Sequence, residues 1–374
     1  MKSIHQVDHL LVVMGPIEND ARTLNLAQTL VKQNETVLIL GIGNQKGLVK
    51  KTELLSIQTI VLPVFNRMFK LWFLFGLELI SLLKGIKAKK YWAMDLYSLP
   101  LLIWGKDKKS KVFYDSREVY SALGTNVGHP LKQWVITEIE RFFIKRTDVI
   151  FTSGKMDSEF IARFYYIEEP LVIMNLPNYQ TLKKTDKLRS YFGISSDKKI
   201  MIYQGMIHPG RGLEPFVKVL GKFPNWVLCV LGSGRHWNEI KRIIDEIGVS
   251  NQVYKSEPVP YQELAEWTVS ADAGLCYIEP LTESLRLALP NKLFEYAMAG
   301  IPVICSDLPQ MAPIVNEFGS GIVLENQASE NQWFAGMSEL SDSDSYSKMA
   351  NAATQLAKKY NWQAQEPIIL ELIN

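Results

Sequence analysis

The chain has 374 residues, of which 47% are hydrophobic and 21% are charged, so it can bury the cores of two ordinary domains. A formal net charge of +2 excludes a protein that binds nucleic acid through its overall charge. No apolar run reaches the roughly 18 residues of a membrane span, and the polar start of the chain predicts no signal peptide, so we expect a cytoplasmic location.

The first predicted elements are a strand at 9–14, a loop, a helix to about residue 33 and a strand at 36–41. In an open α/β sheet, ligands bind beyond the carboxyl ends of the strands. The loop after the first strand therefore brings Gly15, Asp20 and Arg22 near a candidate ligand. In the alternative interpretation, Asp20 only caps the helix that follows.

A strand at 57–64 is followed by segment 68–111, which combines apolar, aromatic and basic residues. Its apolar part, 71–83, carries one charge and predicts a buried helix or an interfacial segment. Eight lysines and two aspartates between 84 and 111 give a local net charge of +6. Aromatic residues beside lysines are typical of a surface that rests on an anionic bilayer. The alternative is a core helix with a solvated, lysine-rich end.

In the rest of the first half, strands are predicted at 91–96, 111–115, 148–153 and 171–175, and helices at 131–146 and 156–165. Asp115, Arg117 and Glu118 fall at the carboxyl end of the second of these strands, as the earlier candidates do. The polar segment 183–199 has the composition of a linker with a short helix, so we place a domain boundary near 178.

The second half repeats the same rhythm, with strands predicted at 200–204, 227–231, 252–255, 303–305 and 321–324. The three cysteines, Cys229, Cys276 and Cys305, lie in apolar runs and predict buried thiols in a reducing compartment. An Asp-x-Asp pattern at 342–344 lies in a Ser/Asp-rich stretch outside the predicted strands. We interpret that pattern as a coincidence and predict no metal site.

One stretch, 289–307, predicts a tight turn, a short helix and a buried strand. Asn291 is a candidate N-cap, Gly300 ends the helix, and Lys292 and Glu295 share one helix face because they are three residues apart. The start of a helix offers N–H groups and a positive dipole end to an anion. The alternative is an ordinary αβ unit with a solvated Lys–Glu pair.

Five motifs in this order resemble those of the retaining glycosyltransferases of family 4, the group 1 glycosyltransferases: GPIENDAR, VFYDSREVY, YQGMIHPGRGLE, LGSGR and PNKLFEYAMAGIPVICSD. The resemblance implies the GT-B fold, in which two Rossmann-like α/β domains face each other across a cleft. The domains would be 1–178, which binds the acceptor, and 179–355, which binds the nucleotide sugar. Residues 356–374 would form a C-terminal helix that packs back on the N-terminal domain.

The resemblance also implies roles for individual residues. The catalytic group would be Arg211 and Lys292 on the donor diphosphate and Glu295 on the ribose. The donor and nucleotide would contact Gly205, Gly210, Arg211, Gly232, Pro258, Val259, Leu289, Pro290, Asn291, Lys292, Leu293 and Glu295. The acceptor side would be formed by Gly15, Asp20, Arg22, Asp115, Arg117 and Glu118.

The implied activity is the transfer of a hexosyl-type sugar from a nucleoside-diphosphate sugar, most simply a UDP-sugar, with retention of anomeric configuration and without a metal or other cofactor. The acceptor would be a hydroxyl of a cell-envelope, polysaccharide or lipid-linked glycan at the inner face of the membrane, reached through peripheral association of segment 68–111. Three positions depart from the family pattern: Leu287 replaces a glutamate, Met206 an arginine and Arg117 a histidine. Two alternatives therefore stay open, a nucleotide-sugar epimerase of the same fold and a non-catalytic module that binds nucleotide sugars.

Overall fold

The computed structural model describes residues 5–63, 68–123 and 128–373. The chain divides into two compact units, Met1–Met174 with Gln365–Asn374, and Asn175–Ala364. The first unit thus ends at Met174, where the sequence suggested 178. The segment that returns to it begins at Gln365, where the sequence suggested 356.

The first unit is an α/β sheet of eight strands in the order β3-β4-β2-β1-β5-β6-β7-β8. Every pair of neighbouring strands is parallel except β3 and β4. Its elements in chain order are β1 (His5–Pro16), α1 (Ala21–Val31), β2 (Val37–Ile42), β3 (Gly47–Lys51), β4 (Leu55–Ile60), α2 (Met68–Leu83), β5 (Ile86–Ala93), α3 (Leu99–Gly105), β6 (Lys111–Ser116), α4 (Pro130–Ile144), β7 (Val149–Thr152), α5 (Lys155–Tyr165) and β8 (Leu171–Val172).

Two of these elements, β3 and α3, were not predicted. β3 is an exposed edge strand that pairs with β4, and its sequence shows no apolar alternation. α3 is only seven residues long and nearly all apolar, which hides its helical period. Helices α2 to α5 share one apolar core against the sheet, to which they contribute Phe75, Leu102, Phe143 and Tyr165 in turn. They therefore cover the same face of the sheet.

The second unit has a fully parallel six-stranded sheet in the order β11-β10-β9-β12-β13-β14. Its elements are α6 (Lys187–Phe192), β9 (Lys199–Gln204), α7 (Leu213–Leu220), β10 (Trp226–Leu231), α8 (Trp237–Ile247), β11 (Val253–Ser256), α9 (Tyr261–Thr268), β12 (Ala273–Cys276), α10 (Glu283–Arg286), α11 (Asn291–Met298), β13 (Val303–Ser306), α12 (Ala312–Phe318), β14 (Gly321–Leu324), α13 (Glu330–Ser341), α14 (Ser343–Lys359) and α15 (Trp362–Ile373). The last helix, α15, runs from the second unit into the residues that belong to the first.

Strand order reverses in the second sheet between β9 and β12. The chain moves from β9 to β10 and β11 on one side, and then crosses to β12 on the other side of β9. At such a point, neighbouring connections leave in opposite directions and open a crevice beyond the carboxyl ends of the strands. This geometry predicts a ligand site among the loops that follow Gln204 and Cys276.

Three smaller expectations can be compared directly with the structure. Cys229, Cys276 and Cys305 are all buried and free, as predicted. Asp342 of the Asp-x-Asp pattern caps α14, where its carboxylate accepts a hydrogen bond of 2.9 Å from the N–H of Ser345. No helix within the described ranges has both the length and the apolar character needed to span a bilayer.

Candidate functional site

Helix α11 gives the candidate site its frame. Its N-cap is Pro290 and Asn291 is its first residue, so the expectation that Asn291 caps the helix is wrong. The helix ends as predicted at Gly300, which has a φ of 68°. The N–H of Gly300 bonds to Ala297 O and the N–H of Ile301 to Tyr296 O, the pattern of a Schellman motif. As at the start of any α-helix, N–H groups of the first turn of α11 lack intrahelical partners.

Lys292, on the first turn of α11, is a buried cation. Its Nζ lies 3.9 Å from the ring centroid of Tyr203, whose hydroxyl donates to Met206 O. Burial lowers the pKa of Lys292 to about 8, and the nearby charge of Arg211 acts in the same direction. Neither Lys292 nor Arg211 forms a salt bridge within the described part of the chain, so two neighbouring cations are left without a partner carboxylate. This is the electrostatic condition of an anion site.

Glu295, one turn further along α11, is partly buried and accepts a hydrogen bond from Nε2 of Gln204. Burial raises the pKa of Glu295 to about 7, while the bond from Gln204 and the charge of Lys292 act to lower it. Gln204 was not among the predicted site residues. Its signal in the sequence was positional, because it is the last residue of β9 and precedes the glycine turn.

The predicted glycines lie in turns that pack tightly against each other. Gly205 and Gly210 have φ values of 119° and 73°, which residues with a side chain rarely adopt. A Cβ on Gly232 would collide with the carbonyl oxygen of Gly205, whose own N–H donates to Leu231 O at 3.0 Å. The loops after β9 and β10 therefore constrain each other's backbone conformation at the sheet edge.

The other predicted donor residues lie around the same edge. Pro258 and Val259 belong to the loop between β11 and α9, and Leu289 and Pro290 directly precede α11. Leu293 is a buried core side chain, so only its backbone can serve a ligand.

The positions that depart from the family pattern have distinct environments. Leu287 is buried, and its carbonyl accepts a hydrogen bond from Gln310. Met206 is 63% exposed. Glu283, at the start of the short helix α10 that precedes Leu287, forms a two-pronged pair with Arg286, with distances of 2.8 and 2.6 Å. Glu279 was not among the predicted site residues. Its N–H donates to Gly210 O at 2.8 Å, and burial and the charge of Glu214 raise the pKa of its carboxyl.

On the predicted acceptor side, Asp20, Arg22, Asp115 and Arg117 form one network in the first unit. Arg22 donates to both oxygens of Asp115 at 2.7 Å, and both side chains are buried. Arg117 bridges Asp115 at 3.1 Å and Asp20 at 2.7 Å. Burial alone would raise the pKa of Asp115, but the two arginines outweigh it and hold that pKa low.

The same side contains one predicted capping residue and two residues outside the network. Asp20 accepts from the N–H of Thr23 at 3.0 Å and is the N-cap of α1, which supports the alternative interpretation of this residue. Gly15 lies near the end of β1, and Glu118 is exposed beyond β6. The structure thus brings Asp20, Arg22, Asp115 and Arg117 together, and their charges mainly satisfy one another.

Comparisons with known proteins match the second unit to a described family. Residues 184–359 match the family model described as glycosyl transferases group 1. The chain is 25% identical over 204 residues to the D-inositol 3-phosphate glycosyltransferase of Corynebacterium urealyticum, which covers 51% of this chain and 46% of that protein. It is 24% identical over 180 residues to an uncharacterized glycosyltransferase of Methanocaldococcus jannaschii, covering 45% and 41%. The match thus spans about half the length of these curated relatives, or less.

Solved structures resemble the whole chain at low identity. Sucrose-phosphate synthase from Thermosynechococcus elongatus has a TM-score of 0.79 at 12% identity, with 98% of both chains covered. Anabaena HepE in complex with UDP and glucose has a TM-score of 0.74 at 11% identity, with 98% and 99% covered. WaaG, a glycosyltransferase involved in lipopolysaccharide biosynthesis, has a TM-score of 0.67 at 14% identity, with 98% and 99% covered. These likenesses confirm the prediction of two α/β domains of the GT-B type.

Proposed function

From the match of residues 184–359 to the family model of the group 1 glycosyl transferases, we propose that the chain transfers a sugar from a UDP-sugar to an acceptor hydroxyl with retention of anomeric configuration. The observation that carries the proposal is the pair of cations, Arg211 and Lys292, without partner carboxylates at the point where the strand order of the second sheet reverses. The similar structure of Anabaena HepE, solved in complex with UDP and glucose, supports the choice of donor.

In this proposal each group at the sheet edge has one task. Arg211 and Lys292 bind the diphosphate, and the start of α11 adds its N–H groups and dipole. Charge grows on the diphosphate as the bond to the sugar breaks, so these fixed positive groups stabilise the transition state more than the ground state. They can do so without a metal ion. We place no enzymic nucleophile, so the acceptor attacks from the face that the diphosphate leaves.

Two other functions make different predictions for a labelled donor. An epimerase would convert a UDP-sugar into its epimer without any acceptor. A non-catalytic module, which the buried Leu287 and exposed Met206 would favour, would bind the nucleotide but neither transfer nor hydrolyse the sugar. Transfer to an added acceptor, with the donor otherwise intact, supports the glycosyltransferase over both.

The substitution Arg211→Ala tests the donor site. We expect it to weaken binding of uridine diphosphate at least about tenfold by calorimetry, because a charge-assisted contact is lost. The control is Arg242→Ala, since Arg242 is an exposed arginine of the same unit that pairs with Glu239 and Glu246. Equal affinities in Arg211→Ala and the unmodified protein would contradict the assignment.

We further propose that the acceptor is a cell-envelope or lipid-linked glycan at the inner membrane face, and that the first unit rests on the membrane. Helix α2 exposes Phe69, Phe73, Leu77 and Ile80, which are spaced as one helix face. Helix α4 exposes a second stripe: Leu131, Trp134, Val135, Ile139 and Phe142. Because α2 and α4 cover the same side of the sheet, we name these nine residues the helical face.

The helical face has the composition of a membrane-contact surface. Large exposed apolar patches mark binding surfaces, and Trp and Phe beside basic residues suit a bilayer interface. Lys70, Lys84, Lys132 and Lys145 lie on or next to the two helices and are all exposed. The role of the lysines on β5 is smaller than the sequence suggested, because Lys89 pairs with Asp8 at 2.7 Å and Lys90 donates to Ile373 O.

A further inference from the structure

We propose that Gln204 and Thr268 are positioning residues that hold the carboxylate of Glu295 for the hydroxyls of a ribose. The inference rests on the proposed function, because it needs a nucleotide in the second unit. It adds two residues, one on a strand and one on a helix, to which the family resemblance assigned no role.

The geometry is a short chain of side-chain contacts across three elements. Gln204, at the end of β9, is 4% exposed and donates through Nε2 to Oε2 of Glu295 on α11. Its other amide atom, Oε1, lies 2.9 Å from the hydroxyl oxygen of Thr268 on α9. Thr268 is itself 1% exposed. The chain Thr268–Gln204–Glu295 therefore joins α9, β9 and α11 within the core of the unit.

The orientation of the amide follows from what each neighbour can offer. In its ionised form the carboxylate of Glu295 only accepts hydrogen bonds, so this form requires the NH₂ group of Gln204 to face it. The amide oxygen then faces Thr268, whose single hydroxyl proton has a choice between Gln204 Oε1 and Leu264 O at 2.7 Å. A buried amide oxygen without a donor is costly, so Thr268 favours the arrangement in which Gln204 points its donors at Glu295.

This arrangement leaves one carboxylate oxygen available. Oε2 of Glu295 is occupied by Gln204, whereas Oε1 forms no hydrogen bond within the ranges that the structure describes. A carboxylate held by one oxygen and open at the other is suited to accept from a sugar hydroxyl. Helix α9 follows directly on the loop of Pro258 and Val259, which the family resemblance assigns to the donor nucleotide. The same helix therefore borders that loop and, through Thr268, the carboxylate proposed for the ribose.

The charge of Glu295 depends on several groups that face it. Lys292 and Tyr296 lie on its own helix, Tyr261 on α9 and Cys276 on β12. The bond from Gln204 favours the ionised form, and burial opposes it. Loss of Gln204 should therefore keep Glu295 protonated up to a higher pH. A protonated carboxyl accepts less well, so ribose binding should then need a higher pH.

The experiment compares uridine diphosphate with its 2′,3′-dideoxy analogue, by calorimetry from pH 5.5 to 8.5. The ratio of the two affinities isolates the hydroxyls, because the phosphates titrate alike in both ligands. We expect Gln204→Leu to weaken the ribonucleotide about tenfold at pH 7 and to leave the dideoxy analogue within about twofold. The pH at which the ratio is half-maximal should rise. Thr268→Val should show about a threefold effect, and Thr268→Ser, which keeps the hydroxyl, almost none.

Glu295→Gln provides the matched background. In that variant the discrimination between the ligands should be lost, and adding Gln204→Leu should cost nothing more. Equal weakening of both ligands by Gln204→Leu would overturn the inference, as would an unchanged ratio. Equal binding of the two ligands by the unmodified protein would also overturn the inference, although nucleotide binding itself would then be established. Failure to bind either ligand would instead refute the proposed function, and the inference with it. Thermal unfolding of each variant shows whether it is folded.

Discussion

At the scale of single residues, two sets of charged side chains follow strand ends and have opposite environments. Arg22 and Asp115 are buried against each other, so each neutralises the other. Arg211 and Lys292 have no such partner among the described residues. A paired ion is mainly structural because its removal leaves an uncompensated charge, whereas an unpaired cation is available to a ligand. Pairing therefore separates the two kinds of residue better than position in the sequence does.

Gly232 permits a specific prediction at this scale. The substitution Gly232→Ala should lower the free energy of unfolding by about 2 kcal/mol or more, because the new Cβ meets the backbone oxygen of Gly205 and not a flexible side chain. It should also weaken uridine diphosphate binding, since both turns must shift. Chemical denaturation and calorimetry measure the two effects.

The matched control is Gly85→Ala. A Cβ at Gly85 finds its nearest atom, Leu82 O, at 3.7 Å, which is ordinary contact. Its stability should stay within about 0.5 kcal/mol of the unmodified protein. If Gly232→Ala were equally harmless, the two turns would not hold each other as described.

At the scale of elements, helices α2 and α4 each have two apolar sides. The inner side supplies Phe75 and Leu79 of α2 and Phe143 of α4 to the core, and the outer side carries the helical face. Helix α2 is hydrophobic almost all round, and the sequence alone does not distinguish such a helix from a fully buried one. The exposed fractions of the side chains show that the outer sides of α2 and α4 are not buried: Phe69 is 74% exposed and Trp134 is 60% exposed.

The helical face should bind anionic vesicles through its aromatic residues. We expect the double variant Phe73→Ser, Trp134→Ser to reduce sedimentation with vesicles of phosphatidylglycerol and phosphatidylcholine at least about fivefold, because transfer of both side chains into the interface is lost. Changing Lys87, Lys89 and Lys90 to glutamate should reduce it less, since two of these lysines are engaged within the unit.

Leu48→Ser is the control for the vesicle experiment. Leu48 is an exposed apolar residue of the same unit, on edge strand β3 and outside the helical face. Its substitution should leave sedimentation unchanged. Binding that is absent in the unmodified protein, or that Leu48→Ser reduces as much as the double variant, would refute the proposed membrane surface.

At the scale of the whole molecule, the first unit contains a buried carboxyl that is not one of the predicted site residues. Glu140 of α4 is 1% exposed and accepts hydrogen bonds from Tyr114 at 2.7 Å and Tyr165 at 2.6 Å. Burial raises its pKa to about 7, and the hydroxyl donors only partly oppose that. The network ties β6, α4 and α5 together, so its protonation state affects the stability of the unit.

The raised pKa of Glu140 predicts a pH dependence with a definite sign. The folded state keeps the proton up to about pH 7, whereas the unfolded chain loses it near its ordinary value of 4.5. The free energy of unfolding therefore falls as pH rises between these values, by about 3 kcal/mol. Glu140→Gln should remove this loss, so urea denaturation at pH 4.5 and 7.5 should show a flatter profile for the variant.

Glu138→Gln is the control on the same helix. Glu138 lies two residues before Glu140, is partly exposed and pairs with Arg141. Its removal should leave the slope between pH 4.5 and 7.5 as it is in the unmodified protein. An identical slope in Glu140→Gln would mean that burial does not shift the carboxyl as described.

The sequence by itself determined the architecture of this protein. Apolar runs, glycine turns and the order of the motifs predicted the alternating strands and helices, the two α/β domains and the place of α11, because these depend on local pattern and chain order. It also predicted the end of α11 at Gly300, since a glycine stops a helix for a local reason. The edge strand β3 escaped prediction because pairing with β4, and not its own residues, makes it a strand.

The tertiary structure alone decided which charges are paired and which apolar residues are exposed. Asp115 and Arg22 lie 93 positions apart, as Glu295 and Gln204 lie 91 apart, and no local pattern connects such residues. Burial, hydrogen bonding and pKa depend on distances between side chains that only the packed sheets define. For this reason the family resemblance could group Arg211, Lys292 and Glu295, whereas only the fold assigned Glu295 its neighbour Gln204.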